Sequence, residues 1–107
     1  MNKVILIGRL TRDPLLKHVG DDEVAVSNFT VAVDRNYAGG DGGNEADFLP
    51  VVAWRKLAEN CHEYLKKGSL VGVEGKMQVR SYEKDDERRW VTEVVAEHVK
   101  FLDKKAV

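Results

Sequence analysis

The sequence has 107 residues, of which 17 are basic and 18 acidic, so its formal net charge at neutral pH is -1. This length suits one domain with a single hydrophobic core and is too short for two. A near-zero net charge excludes a protein that coats a polyanion through bulk charge alone. Any nucleic-acid binding must therefore rest on local segregation of charge, helped by stacking.

Cys61 is the only cysteine, which excludes an internal disulfide and favours a reducing compartment. The opening segment MNKVILIGRL has an apolar core of only four residues, Val4 to Ile7. That core is too short for a signal peptide or a membrane span. We therefore expect a cytoplasmic protein without membrane association, built as one domain over residues 1–103 with a short tail at 104–107.

Three runs rich in β-branched and aromatic residues predict strands at about residues 3–11, 24–33 and 46–54. The second and third runs are separated by YAGGDGGNEAD (37–47), whose four glycines predict a flexible connection. Pro50 lies inside the third run. Because proline cannot donate a ladder hydrogen bond, we expect an edge, a bulge or an unpaired stretch there.

The only convincing helix signal is KLAENCHEYLKKG (56–68). Its apolar residues recur at helical spacing and predict one core-facing stripe: Leu57, Ala58, Cys61, Tyr64 and Leu65. Two further strands are predicted at 70–82 and 90–102, joined by the charged connector EKDDERR (83–89).

The order of three strands, a helix and two strands matches a five-stranded Greek-key barrel of the OB type. The predicted fold is thus all-β with one helix, which lies between the third and fourth strands. Small SH3-like barrels and α+β sheets have a similar content of elements and stay open as alternatives at this point.

Residues suited to catalysis are scattered. The three histidines fall in a predicted loop, helix and strand: His18, His62 and His98. Cys61 and His62 are adjacent, which is not a chelating spacing. The acidic runs 21–23 and 85–87 offer oxygen ligands for Mg²⁺, but both lie in predicted connectors, where charged residues are usually solvated. The pattern favours a non-catalytic protein that needs no metal and no cofactor.

The fourth predicted strand has one polar face and one apolar face. Period two places four residues on the polar face: Lys76, Gln78, Arg80 and Tyr82. The opposite face is predicted to lie in the core: Val71, Val73, Met77 and Val79. The polar face combines cations with an aromatic ring, which suits a nucleic-acid ligand.

The same period places Phe48 and Trp54 on one face of the third strand, with Val51 and Ala53 on the other. We expect the third and fourth strands to be neighbours that present aromatic rings and cations on a common outer surface. Such a surface can bind a single strand, because any base can stack on an aromatic ring while Arg and Lys contact the phosphates.

An ordinary packing role is the alternative for each aromatic residue, since aromatic side chains in strands usually face the core. We assign Phe29 and Phe101 to the core, and Tyr82 and Trp90 can pair with each other across the charged connector. Tyr37 differs because it stands at a strand end beside the glycine-rich segment. These residues alone leave both interpretations open.

Three segments resemble bacterial single-stranded DNA-binding proteins: NKVILIGRLTRDP (2–14), WRKLAENCHEYLKKGSLVGVEGKMQVRSY (54–82) and TEVVAE (92–97). The resemblance extends from about residue 2 to residue 102. It implies an OB fold, sequence-independent binding of single-stranded DNA, and a homotetramer around which the strand wraps. The cellular roles implied are replication, recombination, repair or DNA uptake, in association with the nucleoid.

The resemblance also implies which residues contact DNA. The stacking positions are Tyr37, Phe48, Trp54 and Tyr82. The first candidates for phosphate contacts are Arg80, Lys56 and Arg9, followed by Arg35, Arg55 and Lys76. Trp90 matches an aromatic position without a defined role.

Family members commonly continue into a flexible linker and an acidic tip that recruits other proteins. Here Lys104 and Lys105 stand near the last residue, Val107, so recruitment through an acidic tail is not expected. Two other functions remain alternatives: an OB module that binds a protein, and a metal-dependent nuclease or phosphotransferase that uses Asp85 or Asp86.

Overall fold

Strands dominate the described part of the chain, which is residues 1–35 and 45–103 of a computed structural model. The elements in chain order are β1 (Val4–Leu10), β2 (Leu15–Val19), β3 (Val24–Asp34), β4 (Ala46–Trp54), α1 (Arg55–Tyr64), β5 (Leu70–Lys84) and β6 (Glu87–Phe101). Three predicted features lie outside the described residues: Tyr37, most of the glycine-rich connection at 37–47, and the tail at 104–107. Within these residues no helix is long and apolar enough to cross a membrane.

The strands form a closed sheet in the order β1-β5-β6-β4-β3. The sheet closes where the end of β1 pairs with β3, through Arg9 with Ala32 and Leu10 with Val31. The β4–β6 pair is parallel, while the other pairs are antiparallel. This arrangement confirms the predicted five-stranded OB barrel, with its helix between the third and fourth barrel strands.

The strand β2 is absent from the prediction, which ended the first run near Asp13 and Pro14. It pairs along the same edge of β3 that β1 uses, starting with Leu15 opposite Asn28. The six residues from Leu10 to Leu15 lie opposite only four residues of β3, from Val31 to Asn28. The segment between β1 and β2 therefore has two more residues than the part of β3 opposite it. After these extra residues, β2 continues the barrel's first strand and does not add a sixth barrel strand.

The core is formed by the inner faces of the strands and by α1, which packs against β3 and β4. Ala58, Cys61 and Leu65 are buried in this core, as the helical stripe predicts. Burial raises the pKa of the Cys61 thiol to about 11, so the thiol stays protonated at neutral pH and is not a nucleophile.

Two aromatic residues assigned to the core are in fact exposed, Tyr64 and Phe101. Tyr64 precedes the buried Leu65 by one residue, a rotation of about 100° around a helix axis, which carries its ring away from the barrel. The two rings instead contact each other at the surface, with centroids 6.0 Å apart.

The strands β5 and β6 extend past the barrel as a two-stranded arm, residues 77–93. A register shift at Glu74 and Gly75 marks its base, and the pairing of β5 with β1 ends at Gly75. The predicted connector at 83–89 is mostly strand. Its turn consists only of Asp85 and Asp86, both with positive φ, which is the two-residue hairpin turn of type I′.

The arm also corrects the predicted core of the fourth strand. Val71 and Val73 are buried inside the barrel, but Met77 and Val79 are exposed. Side chains still alternate between two faces along the arm. The apolar face is not covered by another described element, however, so Met77 and Val79 remain in solvent.

Pro50 occupies a position where its missing N–H has no effect on the ladder. It lies opposite Thr30 of β3, and the Thr30 carbonyl accepts a hydrogen bond from Thr11 on the far side. Thr30 and Pro50 are therefore a non-hydrogen-bonded pair, and the proline nitrogen points away from β3. The pairing of β6 with β4 covers only Val51 and Val52, so Pro50 sits at a local edge, one of the predicted possibilities.

Candidate nucleic-acid interface

Alternation along β4 directs two aromatic side chains outward. Val51 and Ala53 are buried in the core, so the residues of opposite parity, including Phe48 and Trp54, face away from it. The backbone then reverses at Arg55, which has a positive φ of 59°. This reversal starts α1 directly after Trp54 and leaves Arg55 and Lys56 exposed at the end of β4.

The two strands expected to be neighbours are separated by β6. They nevertheless face the same side, because Val52 of β4 pairs with Val95 of β6 and Val95 pairs with Lys76 of β5. Two intervals between strands place β4 and β5 about 10 Å apart at this point. We call this surface the outer face, and its side chains from β4 and β5 are Phe48, Pro50, Val52, Trp54, Lys76, Gln78, Arg80 and Tyr82.

Three of the four predicted stacking residues lie on the outer face. Phe48, Trp54 and Tyr82 are 65%, 42% and 43% exposed. Phe48 and Trp54 are six residues apart on β4, a separation of about 20 Å, and Tyr82 lies out on the arm. Such spacing suits an extended chain with several bases, not a compact ligand held in one pocket.

Arg80 is held by a carboxylate that the sequence analysis missed. Its Nε donates a hydrogen bond to Glu93 Oε1 at 2.7 Å. The Glu93 side chain is only 6% exposed, whereas that of Arg80 is half exposed. The register places Glu93 opposite Gln78, on the same outer face. A buried carboxylate requires a compensating partner, and the Arg80 guanidinium is that partner for Glu93. The half of the Arg80 side chain that is exposed remains accessible to a phosphate.

Two other predicted phosphate contacts also have partners within the chain. Arg35 pairs with Asp47 at 2.8 Å and with Glu45 at 3.4 Å. Arg9 donates to the Gly68 carbonyl oxygen at 2.9 Å and lies 3.6 Å from Asp103. These groups are all exposed, so their ion pairs are weak and a phosphate can compete for either arginine.

The three remaining cations, Arg55, Lys56 and Lys76, form no ion pair within residues 1–35 and 45–103. Lys76 projects from the outer face beside Val95. Arg55 and Lys56 line a cleft of about 310 Å³ together with the acidic Asp22, Glu23 and Glu59, and with His18. These three cations are the most available for phosphate.

The two aromatic residues that flank the predicted connector do not pair with each other. Tyr82 lies opposite Arg89, and Trp90 lies opposite Ser81. Tyr82 and Trp90 therefore point to opposite faces of the arm. Only Tyr82 belongs to the outer face.

The alternative of a metal-dependent nuclease places its chemistry on Asp85 or Asp86. Asp85 and Asp86 form an exposed turn at the tip of the arm. Over the described ranges, no three metal-binding side chains gather at one point.

A comparison with protein families matches residues 1–102 to the single-strand binding protein family. The chain belongs to this family. The match confirms the family predicted from the sequence and agrees with the OB barrel. Curated relatives in the single-strand binding protein family are named as binding proteins, not as enzymes, in agreement with the expectation of a non-catalytic protein.

Three of these relatives illustrate how closely the chain matches the family. The single-stranded DNA-binding protein of Clostridium tetani is 57% identical over 104 residues, which cover 96% of this chain and 71% of the relative. That of Caldanaerobacter subterraneus subsp. tengcongensis is 52% identical over 107 residues, covering 99% and 71%. That of Halalkalibacterium halodurans is 55% identical over 104 residues, covering 96% and 61%.

Proposed function

We propose that this protein binds single-stranded DNA without preference for base sequence. Bases stack on Phe48, Trp54 and Tyr82, and phosphates contact the cations around them. The observation that carries the proposal is the outer face itself, where three exposed aromatic rings and Lys76 share one side of the sheet. Such binding protects single strands during replication, recombination, repair or DNA uptake.

Stacking explains how a chain with a net charge of -1 can hold a polyanion. Each base stacked on an aromatic side chain contributes about 1–3 kcal/mol, whatever the base. Lys76, Lys56 and Arg55 provide phosphate contacts without breaking an existing ion pair. Arg80, Arg9 and Arg35 contribute by sharing or exchanging their carboxylate and carbonyl partners. Tyr37 is a further proposed stacking residue, outside the described residues.

A titration with oligo(dT) tests this function directly. We expect quenching of tryptophan emission, since Trp54 stacks on a base, and an affinity that falls as salt rises. The three cations that form no ion pair within the described ranges predict a slope of log K against log salt of about -2, at about -0.7 for each phosphate contact. Oligonucleotides of mixed sequence should bind similarly, and duplex DNA should bind less tightly. A folded protein that shows no quenching and no binding at low salt would contradict the proposal.

We further propose that the protein assembles as a homotetramer. One edge of β1 supports self-association, because β3 pairs there only with Arg9 and Leu10, and Val4 to Gly8 have no strand partner on that side among the described residues. Ile5 and Ile7 are exposed on this strand. They line a groove of about 640 Å³ with Leu57, Val99 and Leu102. An exposed apolar edge strand of this kind is a ready site for pairing with another chain.

Light scattering at micromolar concentration tests the assembly. We expect a mass of about 48 kDa, four times the 12.0 kDa of one chain. Ile7→Asp should lower this mass, because it places a charge within the apolar groove. Leu15→Asp is the matched control, since Leu15 is similarly exposed but lies on β2, away from the groove. A wild-type monomer at this concentration would exclude the tetramer.

We also place the protein in the cytoplasm with the nucleoid. Single-stranded DNA arises there, and a chain with one free cysteine, Cys61, suits a reducing compartment.

A further inference from the structure

The face of the arm opposite Tyr82 carries a second exposed aromatic surface. Trp90 is 67% exposed, and Met77 and Val79 are exposed beside it. Arg88 lies on the same face, because its Nη1 donates to Ser81 Oγ at 3.0 Å and Ser81 is the residue opposite Trp90. We call this set, Met77, Val79, Ser81, Arg88 and Trp90, the second arm face.

The barrel does not account for this apolar surface. The arm leaves the barrel at Gly75, and Met77, Val79 and Trp90 on one of its faces are exposed, so no described element covers them. A tryptophan left mostly in solvent gains nothing from burial, and adjacent exposed apolar side chains usually mark a binding surface. The second arm face therefore has the exposed apolar character of a binding surface.

We infer that the second arm face is an additional stacking site for single-stranded DNA, in which a base stacks on Trp90. This inference rests on the proposed function and extends the DNA path beyond the outer face. A strand that leaves Tyr82 passes around a free edge of the arm and reaches Trp90 on the other side.

The geometry of the arm makes this path continuous. Tyr82 pairs with Arg89, and the next rung pairs Ser81 with Trp90, so the two aromatic residues are one rung apart along the arm, about 3.4 Å. The arm is only two strands wide. Beyond Met77, whose backbone is bonded by the Asn2 side chain, β5 has no partner among the described residues except β6. Nothing in the described chain thus blocks the edge that the strand would cross.

Charge favours a nucleic acid as the occupant. Arg88 stands two residues from Trp90 on the same face, and Arg89 lies on the outer face, opposite Tyr82. Arg88 is 3.6 Å from Glu83, and Arg89 is 3.4 Å from Glu87. All four side chains are exposed, so these ion pairs contribute little, and a phosphate can replace either carboxylate. An aromatic ring beside an available guanidinium is the combination that binds single strands.

The size of the apolar surface argues against a second copy of the chain. A stable protein interface needs about 800 Å² from each partner, whereas the second arm face offers three apolar side chains on a narrow ribbon. This area suits one or two bases. The charged residues Arg88 and Glu83 lie at the end of this face, so its apolar surface does not extend further for a protein partner to bury.

A single-tryptophan variant tests the inference without altering Trp90. The chain contains two tryptophans, so Trp54→Phe leaves Trp90 as the only one and keeps an aromatic ring at position 54. Binding is followed separately through the anisotropy of labelled oligo(dT) of increasing length. We expect Trp90 emission to be quenched as the DNA binds, more fully with longer oligonucleotides that can pass around the arm.

Affinity measurements give a second test. Trp90→Ala should weaken binding of long oligo(dT) by about 5- to 150-fold, the loss of one stacked base, and Trp90→Phe should restore most of it. Tyr64→Ala is the control, because Tyr64 is an exposed aromatic residue of α1 that belongs to neither the outer face nor the second arm face.

Each outcome decides the inference. Trp90 emission that stays unchanged while anisotropy reports bound DNA would overturn it and leave the proposed function intact. Absence of any binding would instead remove the proposed function. A Trp90→Ala variant with normal DNA affinity but a changed mass in light scattering would assign the second arm face to self-association and also overturn the inference.

Discussion

Replacing Phe48, Trp54 and Tyr82 together with alanine is expected to weaken oligo(dT) binding by about 10²- to 10⁶-fold at low salt. Each stack contributes about 1–3 kcal/mol, and every 1.4 kcal/mol changes affinity tenfold. The rings are all exposed, so their removal should change the thermal midpoint of unfolding little. Loss of binding can then be attributed to the surface and not to the fold.

Anisotropy of labelled oligo(dT) measures this loss, with circular dichroism as the check on folding. Tyr64→Ala is the matched control, because Tyr64 is an exposed aromatic residue of α1 that contacts Phe101 and is not part of the outer face. The three single variants should each lose about 5- to 150-fold. A triple variant that binds no more weakly than Tyr64→Ala would show that the outer face does not stack bases. It would favour the alternative of an OB module that binds a protein.

The outer face was partly predictable because alternation is a local property of a strand. Buried Val51 and Ala53 fix the parity of β4, and the same parity turns Phe48 and Trp54 outward. The expectation that the apolar face of a strand is buried fails at Met77 and Val79, although alternation assigned both residues to the correct face. Whether a face is buried depends on a second layer of structure, and the sequence does not show that the barrel stops at Gly75.

Features that depend on pairing between distant segments were not predictable from local pattern. The intervening position of β6 between β4 and β5 is a matter of topology. The pairing of Arg80 with Glu93 depends on that topology, since the two residues lie on facing strands of the arm. The acidic residue Glu93 within the apolar stretch WVTEVVA (90–96) was nevertheless a usable signal. Such a residue in a strand requires a cation or a route to solvent.

Strand ends were predicted least well, and the reasons are physical. The strand β2 follows Pro14 and has a weak pattern in LLKHV, so its pairing with β3 outweighs its local preference. The segment EKDDERR (83–89) has low strand propensity, yet most of it extends the arm. A two-residue turn with positive φ at Asp85 and Asp86 allows the flanking residues to remain paired, because aspartate tolerates this conformation better than most residues do.

Gly75→Ala is expected to destabilise the fold by about 3 kcal/mol, the upper part of the usual range for overpacking. Gly75 is buried at the bulge where the arm begins. A Cβ at this position would overlap the Val95 carbonyl oxygen and lie 2.9 Å from the carbonyl carbon. These are backbone atoms of the paired strand and cannot rotate away, so β5 and β6 would have to separate.

Gly72→Ala provides a control in the same strand, where strand propensity and the change in unfolded-state entropy are matched. A Cβ at Gly72 would meet the flexible side chain of Leu102 at 3.5 Å, an ordinary contact. Thermal unfolding at equal protein concentration should lower the midpoint of Gly75→Ala by about 12–24 °C, at about 4–8 °C per kcal/mol, and leave Gly72→Ala near the wild type. Equal midpoints for the two variants would contradict the close approach at the bulge.

Because the bulge also sets the direction of the arm, any folded fraction of Gly75→Ala should lose the stacking contribution of Tyr82 while keeping those of Phe48 and Trp54 on β4. A DNA affinity that falls by about one stack, with Trp54 quenching retained, would connect this one glycine to both the stability of the barrel and the path of the DNA.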